Sequence, residues 1–119
     1  IWGNNFYKAL VSSKMGLNLS RGLPTKYYSS NRIASLMGNG LLTFIDRKTQ
    51  MNDFFTNNEI IFYDNITDLS EKIKFYKKNE KLRIKIARNG KKKYFELFNE
   101  LKTTKYIIDK SLGNKTLLY

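Results

Sequence analysis

The hydrophobic residues of this 119-residue chain follow two different spacings. Within residues 5–13 and 30–38 they recur every three or four positions, as on one face of a helix. Residues 15–20 (MGLNLS) are apolar at alternate positions, whereas 41–45 (LLTFI) and 60–63 (IIFY) are almost continuously apolar, as in strands buried on both faces. Strands that alternate with helices indicate an α/β fold, with a small parallel sheet of about three strands flanked by helices.

The second half of the chain has helical spacing almost throughout, so a helical C-terminus is predicted. A short helix is also expected around residues 49–55, between the second and third strands. The first predicted tail helix covers 68–78, with Thr67 as its N-cap. The second covers 80–89 and resumes after Gly90 to about 101, and the last covers 104–112. Gly90 either interrupts the helical pattern or forms a C-cap. We therefore expect a single domain over 1–119, with a sheet-forming part at 15–63 and a helical tail at 67–112.

The charge is strongly positive and unevenly distributed. The formal net charge is +12, and residues 70–119 contain fifteen Lys and Arg against five Asp and Glu. One interpretation is a basic helical face that binds nucleic acid. The other is a Lys-rich composition spread over solvated helix faces. Lys greatly outnumbers Arg, the better reader of bases and phosphates, so nucleic acid is the least favoured partner.

The missing residue types exclude several kinds of chemistry. The chain contains no Cys and no His, which excludes the usual zinc sites and catalysis based on either residue. We expect no metal and no cofactor. Nor is any carboxylate pair placed for acid and base catalysis, so no catalytic residue is predicted. No apolar run approaches the length of a membrane span, and the expectation is a soluble, cytoplasmic protein.

The predicted sheet places a candidate anion site at the carboxyl ends of its strands. The helix predicted over 30–38, with Ser29 or Ser30 as its N-cap, starts at that edge. Its first turn carries Arg32, and no carboxylate lies within residues 29–40. A helix N-terminus binds anions, and an arriving anion would offset the unfavourable Arg32–dipole interaction. The alternative is that Arg32 pairs with Asp46 or Asp53, or lies in solvent. The candidate substrate-binding residues are Ser20, Arg21, Lys26, Asn31, Arg32, Ser35 and Asp46.

The order of these segments resembles the C-terminal part of GT-B glycosyltransferases of the group 1 type, and especially their spore-maturation-like subgroup. The resemblance covers roughly 3–98. It rests on the SKMGLNLS strand, the NRIASLMGNGLLTFID segment and a tail in which Ile86-Ala87 and Gly90 fall where the family has its "iA..G". It implies half of a Rossmann-like domain that binds a nucleotide-sugar, here as substrate, with Arg32 facing the diphosphate.

Two departures from that family pattern bear on function. The family's Glu that holds the donor ribose falls at Ser35, and an earlier Glu falls at Tyr27. The resemblance thus implies a donor-binding segment, a fragment or truncated member, inactive alone because the acceptor domain and both Glu residues are missing. The alternative is a non-catalytic remnant or dimeric interaction module. An open sheet edge at 15–20 predicts a homodimer joined near that strand or through the helix at 5–13.

Overall fold

The sheet contains three parallel strands. A computed structural model describes residues 3–28 and 30–114. Its strands are β1 (Met15–Asn18), β2 (Leu42–Asp46) and β3 (Ile61–Tyr63), hydrogen-bonded in the order β1-β2-β3. This confirms the predicted α/β fold with a three-stranded parallel sheet, although β1 ends two residues earlier than expected.

The described residues form five α-helices, of which two precede β2 and three follow β3. They are α1 (Asn4–Ser12), α2 (Asn31–Gly38), α3 (Ile66–Lys78), α4 (Glu80–Leu97) and α5 (Glu100–Ser111). In place of the single short helix expected around 49–55, the structure has two 3-10 turns, Arg47–Thr49 and Met51–Asp53. Gln50 separates the turns with a φ of 54°, a left-handed conformation that a right-handed helix cannot continue through.

The core lies on both faces of the central strand β2. One face packs Ile45 against Ile33 and Met37 of α2, and the other packs Phe44 against Ile86 of α4. All of these side chains are buried. The continuous apolar run at 41–45 therefore has the two-sided burial that its pattern predicted.

Gly90 has a packing role and does not end a helix. Helix α4 runs through it without a break, so the predicted interruption or C-cap was wrong. A Cβ at this position would lie 2.2 Å from the backbone oxygen of Glu59 and 3.2 Å from Cε of Met37. Glycine lets α4 approach the segment before β3 more closely than any other residue would allow.

The start of α3 is held by two side chains. Asn65 is the N-cap, since its Oδ1 accepts the Asp68 N–H at 3.0 Å, and Thr67, the predicted cap, lies inside the helix. The Asp68 carboxylate accepts from the Asp64 N–H at 2.9 Å and from Lys72 Nζ at 2.8 Å. These contacts tie the end of β3 to the first turns of α3.

Replacing Asp68 with Asn should remove a pH-dependent part of the stability. The hydrogen bond from Lys72, followed by the Asp64 N–H, lowers the pKa of Asp68. A carboxyl group whose pKa is lower in the folded state stabilises the fold above its unfolded pKa, and this contribution disappears as pH falls through about 4 and below. Chemical denaturation between pH 7 and pH 3 should show the wild type losing more stability than Asp68→Asn. Glu71→Gln, on the same helix but without these contacts, should follow the wild type, and identical profiles for Asp68→Asn would contradict the assignment.

Strand β1 lies at one edge of the sheet. Among the residues that the structure describes, it pairs only with β2, so its outer backbone groups have no strand beside them. The homodimer through this edge stays a prediction. Within 3–28 and 30–114, no helix combines the length and the apolar character needed to cross a membrane.

Candidate functional site

The N-terminus of α2 is fastened to the carboxyl end of β1. The Ser30 hydroxyl accepts the Arg32 backbone N–H at 3.3 Å and donates to Asn18 Oδ1 at 2.9 Å. Ser30 is therefore the N-cap that the sequence predicted as one of two alternatives, and Ser29, the other, lies outside the described residues. A single hydroxyl thus fixes the helix start directly above the last residue of the strand.

Close packing of α2 on β1 brings the two elements into this arrangement. A Cβ on Gly16 would lie 2.3 Å from Cδ2 of Leu36, so the helix rests directly on the glycine. Gly16 and Asn18 lie on the same face of the strand because strand side chains alternate. The face that α2 covers therefore ends in the polar side chain of Asn18.

Two buried polar atoms at this strand end have no hydrogen-bond partner within the described part of the chain. They are Nδ2 of Asn18, a residue only 1% exposed, and Oγ of Ser20. An unpaired buried donor costs about 1–3 kcal/mol. Atoms of a bound ligand or of solvent can complete the hydrogen bonding of these two groups.

Arg32 is also available to a ligand. Its side chain is partly buried, and it forms no ion pair with any described residue. The two carboxylates considered as its partners are engaged elsewhere. Asp46 accepts the Lys48 N–H at 2.8 Å, and Asp53 accepts the Tyr27 hydroxyl at 2.6 Å. The positive charge at the start of α2 thus has no counter-ion among residues 3–28 and 30–114.

The loop between β1 and α2 supplies two further cations. Arg21 and Lys26 are both exposed, and Lys26 Nζ lies 4.7 Å from the centroid of the Tyr27 ring. Tyr27 has a φ of 57° and donates its backbone N–H to the Thr49 oxygen at 2.7 Å. Tyr27, which stands where the family has its earlier Glu, therefore anchors the loop against the 3-10 turns.

The remaining predicted residues lie in different surroundings. Asn31 is exposed, and its carbonyl oxygen accepts the Ser35 hydroxyl at 3.1 Å. Asp46 lies on the opposite face of the sheet from Asn18, because its partner in register is Tyr63, which packs with the α3 and α4 side. Burial raises the pKa of Tyr63, and the nearby Asp46 charge adds to that increase. The structure therefore brings Ser20 and Arg32 to the α2 edge and leaves Asp46 across the sheet.

Asn18 was missed by the sequence-based prediction. Its signal was a polar residue on the strand face that also holds Gly16 and Ser20, where a covering helix requires close packing. The apolar alternation of 15–20 predicts a strand, but it does not show that the polar face of that strand is covered by a helix. A buried Asn on such a face needs partners for its amide, which makes it a stronger site signal than an exposed Arg.

The site at the β1 end is made of hydrogen-bond donors. The unpaired amide and hydroxyl, the first N–H groups of α2 and the Arg32 guanidinium all favour an anion with several oxygen atoms. Across the described residues, no group of three carboxylates lies close enough together to hold a metal ion. The arrangement suits phosphate binding, and it offers no acid–base pair.

Comparison with protein families shows which family the chain belongs to. A family model described as glycosyl transferase-like matches residues 1–102, which include the three described strands and α2. No curated protein and no solved structure matches the chain. Since the match spans most of the 119 residues, the chain belongs to the glycosyl transferase-like family.

Proposed function

We propose that this chain binds the diphosphate of a nucleotide-sugar donor at the N-terminus of α2, as the donor-binding segment of a glycosyltransferase. Membership of the glycosyl transferase-like family gives a glycosyltransferase-related function. The observation that carries the finer proposal is the pair of buried, unpaired polar groups on Asn18 and Ser20 beside the free Arg32. Their donors converge on one edge of a parallel sheet, where α/β proteins bind ligands.

A diphosphate fits this site better than a single carboxylate would. It presents several oxygen atoms, enough for the Asn18 amide, the Ser20 hydroxyl and the helix N–H groups together. Arg32 supplies a fork of donors suited to phosphate oxygens. Arg21 and Lys26, exposed on the adjoining loop, would add charge attraction at the rim.

Recognition of the ribose is the weaker part of the proposed site. Ser35 stands where the resembled family has its Glu, and its hydroxyl already donates to the Asn31 carbonyl oxygen. It can still accept a hydrogen bond, but an ionised carboxylate would bind a ribose hydroxyl more strongly. We therefore expect the phosphates to dominate affinity and the isolated chain to be catalytically inactive. This feature also supports the alternative, a non-catalytic remnant.

Titration with UDP, GDP and a UDP-sugar, followed by amide NMR, tests the proposal. We expect chemical-shift changes clustered at residues 18–22 and 30–35, with similar affinities for the two nucleotides. Arg32→Ala should weaken binding by about tenfold or more, because a charge-assisted hydrogen bond contributes roughly 1.5–3 kcal/mol. Arg88→Ala, which removes the same charge from an exposed position on α4, is the matched control and should bind like the wild type.

Two results would contradict a working donor site. One is the absence of shifts at millimolar nucleotide, which would favour the remnant or interaction module. The other is equal weakening by Arg32→Ala and Arg88→Ala, which would show attraction to the overall positive charge.

A further inference from the structure

Helix α5 presents an apolar surface that no described part of the chain covers. None of its residues is buried. Leu101, Ile108 and Leu112 are spaced by seven and four residues, which places them along one stripe, and they are 79%, 51% and 70% exposed. Ile107 lies beside them at 58% exposure. Exposed apolar patches of this kind mark interaction surfaces.

The stripe continues onto the end of α4. Phe95 and Phe98 are also exposed, and together with Asn99, Glu100 and Leu101 they line a cavity of about 370 Å³ at the junction of the two helices. The family match ends at residue 102, so most of α5 lies beyond it. None of the residues proposed for the donor site lies on this surface.

Lysines accompany the apolar stripe. Lys105 lies within the stripe, between Leu101 and Ile108, and pairs with Asp109 at 2.8 Å. Lys102 and Lys110 lie on other sides of α5, and the run 91–93 lies one turn before Phe95. Residues 70–119 carry fifteen Lys and Arg against five acidic residues. The occupant of the stripe must therefore offer both negative charge and an apolar phase.

We propose that α5 and the adjoining Phe95 and Phe98 lie on the surface of an anionic lipid bilayer. A helix that exposes both aliphatic residues and Lys suits that interface, because the apolar side chains enter the acyl boundary while the long Lys side chains reach the charged headgroups. Lysines near an anionic surface each add to the attraction. A second copy of this chain would bring two strongly basic tails together, and nucleic acid would leave the apolar stripe in water.

Vesicle co-sedimentation with the full chain tests this surface. The vesicles contain phosphatidylglycerol with phosphatidylcholine, or phosphatidylcholine alone. The test variant is Leu101→Asp/Ile108→Asp, and the matched control is Val11→Asp/Leu23→Asp. The control makes the same charge change at two exposed apolar residues, 83% and 87% exposed, outside α5. Circular dichroism of all proteins establishes that they remain folded.

We expect the wild type to bind the anionic vesicles and to bind the neutral vesicles at least about ten times more weakly. The α5 variant should bind the anionic vesicles about tenfold or more weakly than the control variant, because it loses inserted apolar side chains as well as charge. Equal weakening by the two variants would overturn the proposal in favour of a charge-only polyanion surface. Failure of the wild type to bind anionic vesicles at low salt would also overturn it. The proposal would also be overturned if light scattering showed an oligomer for the wild type and the control variant but a monomer for the α5 variant.

Discussion

Gly90→Ala is expected to lower the free energy of unfolding by about 2 kcal/mol, in the range for added methyl groups in well-packed cores. The new Cβ would lie 2.2 Å from the Glu59 carbonyl oxygen. Because that oxygen belongs to the backbone just before β3, it cannot turn away as a side chain could. Either α4 shifts outward or the segment before β3 moves, and both changes loosen the core around Met37.

A competing effect makes the sign of this prediction informative. Alanine favours a helix by about 1 kcal/mol over glycine in a helix interior. If helix propensity decided the outcome, Gly90→Ala would stabilise the protein. We expect the clash to dominate because the backbone contact is far inside van der Waals distance, whereas the propensity gain is small.

Gly38→Ala is the matched control for this effect. Gly38 also lies in a helix, but a Cβ there would meet only Cζ of Phe95 at 3.9 Å, an ordinary contact. We expect it to leave stability unchanged or raise it by up to about 1 kcal/mol. Urea unfolding of the two variants and the wild type measures both changes. Gly90→Ala at or above wild-type stability would show that α4 does not pack on Glu59 as described.

Most of the secondary structure could be predicted because it follows from local periodicity. The apolar run at 41–45 and the Asn31–Gly38 helix are set by patterns within a few residues. The role of Gly90 could not be predicted, since its reason is the Glu59 oxygen, thirty-one positions earlier in the chain. The segment 49–55 was assigned to a helix because its pattern does not reveal that Gln50 is left-handed.

Some residues of the candidate site could likewise be predicted from local sequence, whereas others could not. Ser30 could be predicted as a cap because capping depends on its immediate neighbours. Asn18 could not be identified as buried and half-satisfied, because its burial depends on α2 crossing Gly16, and its one hydrogen bond comes from Ser30. Asp46 was included because it follows a strand, yet strand alternation places it on the other face of the sheet.

Two serines at this site should respond in opposite directions to the same substitution. The Ser20 hydroxyl is buried and unpaired, so Ser20→Ala removes an unsatisfied polar group with almost no change in volume. We expect the free energy of unfolding to rise by about 1 kcal/mol. The Ser30 hydroxyl caps α2 and donates to Asn18, so Ser30→Ala should lower it by about 1–2 kcal/mol.

Nucleotide binding should stabilise the wild type more than Ser20→Ala. If the free hydroxyl is kept for a phosphate oxygen, saturating UDP should raise the thermal midpoint of the wild type more than that of Ser20→Ala, since a ligand stabilises according to its affinity for the folded state. Thermal unfolding of both proteins with and without UDP measures the difference. A Ser20→Ala variant less stable than the wild type without ligand would mean that the hydroxyl has a structural partner. Equal midpoint increases would mean that Ser20 lies outside the binding site. If Ser20→Ala is more stable than the wild type without ligand and its thermal midpoint rises less with UDP, the unpaired Ser20 hydroxyl destabilises the free protein and contributes to ligand binding.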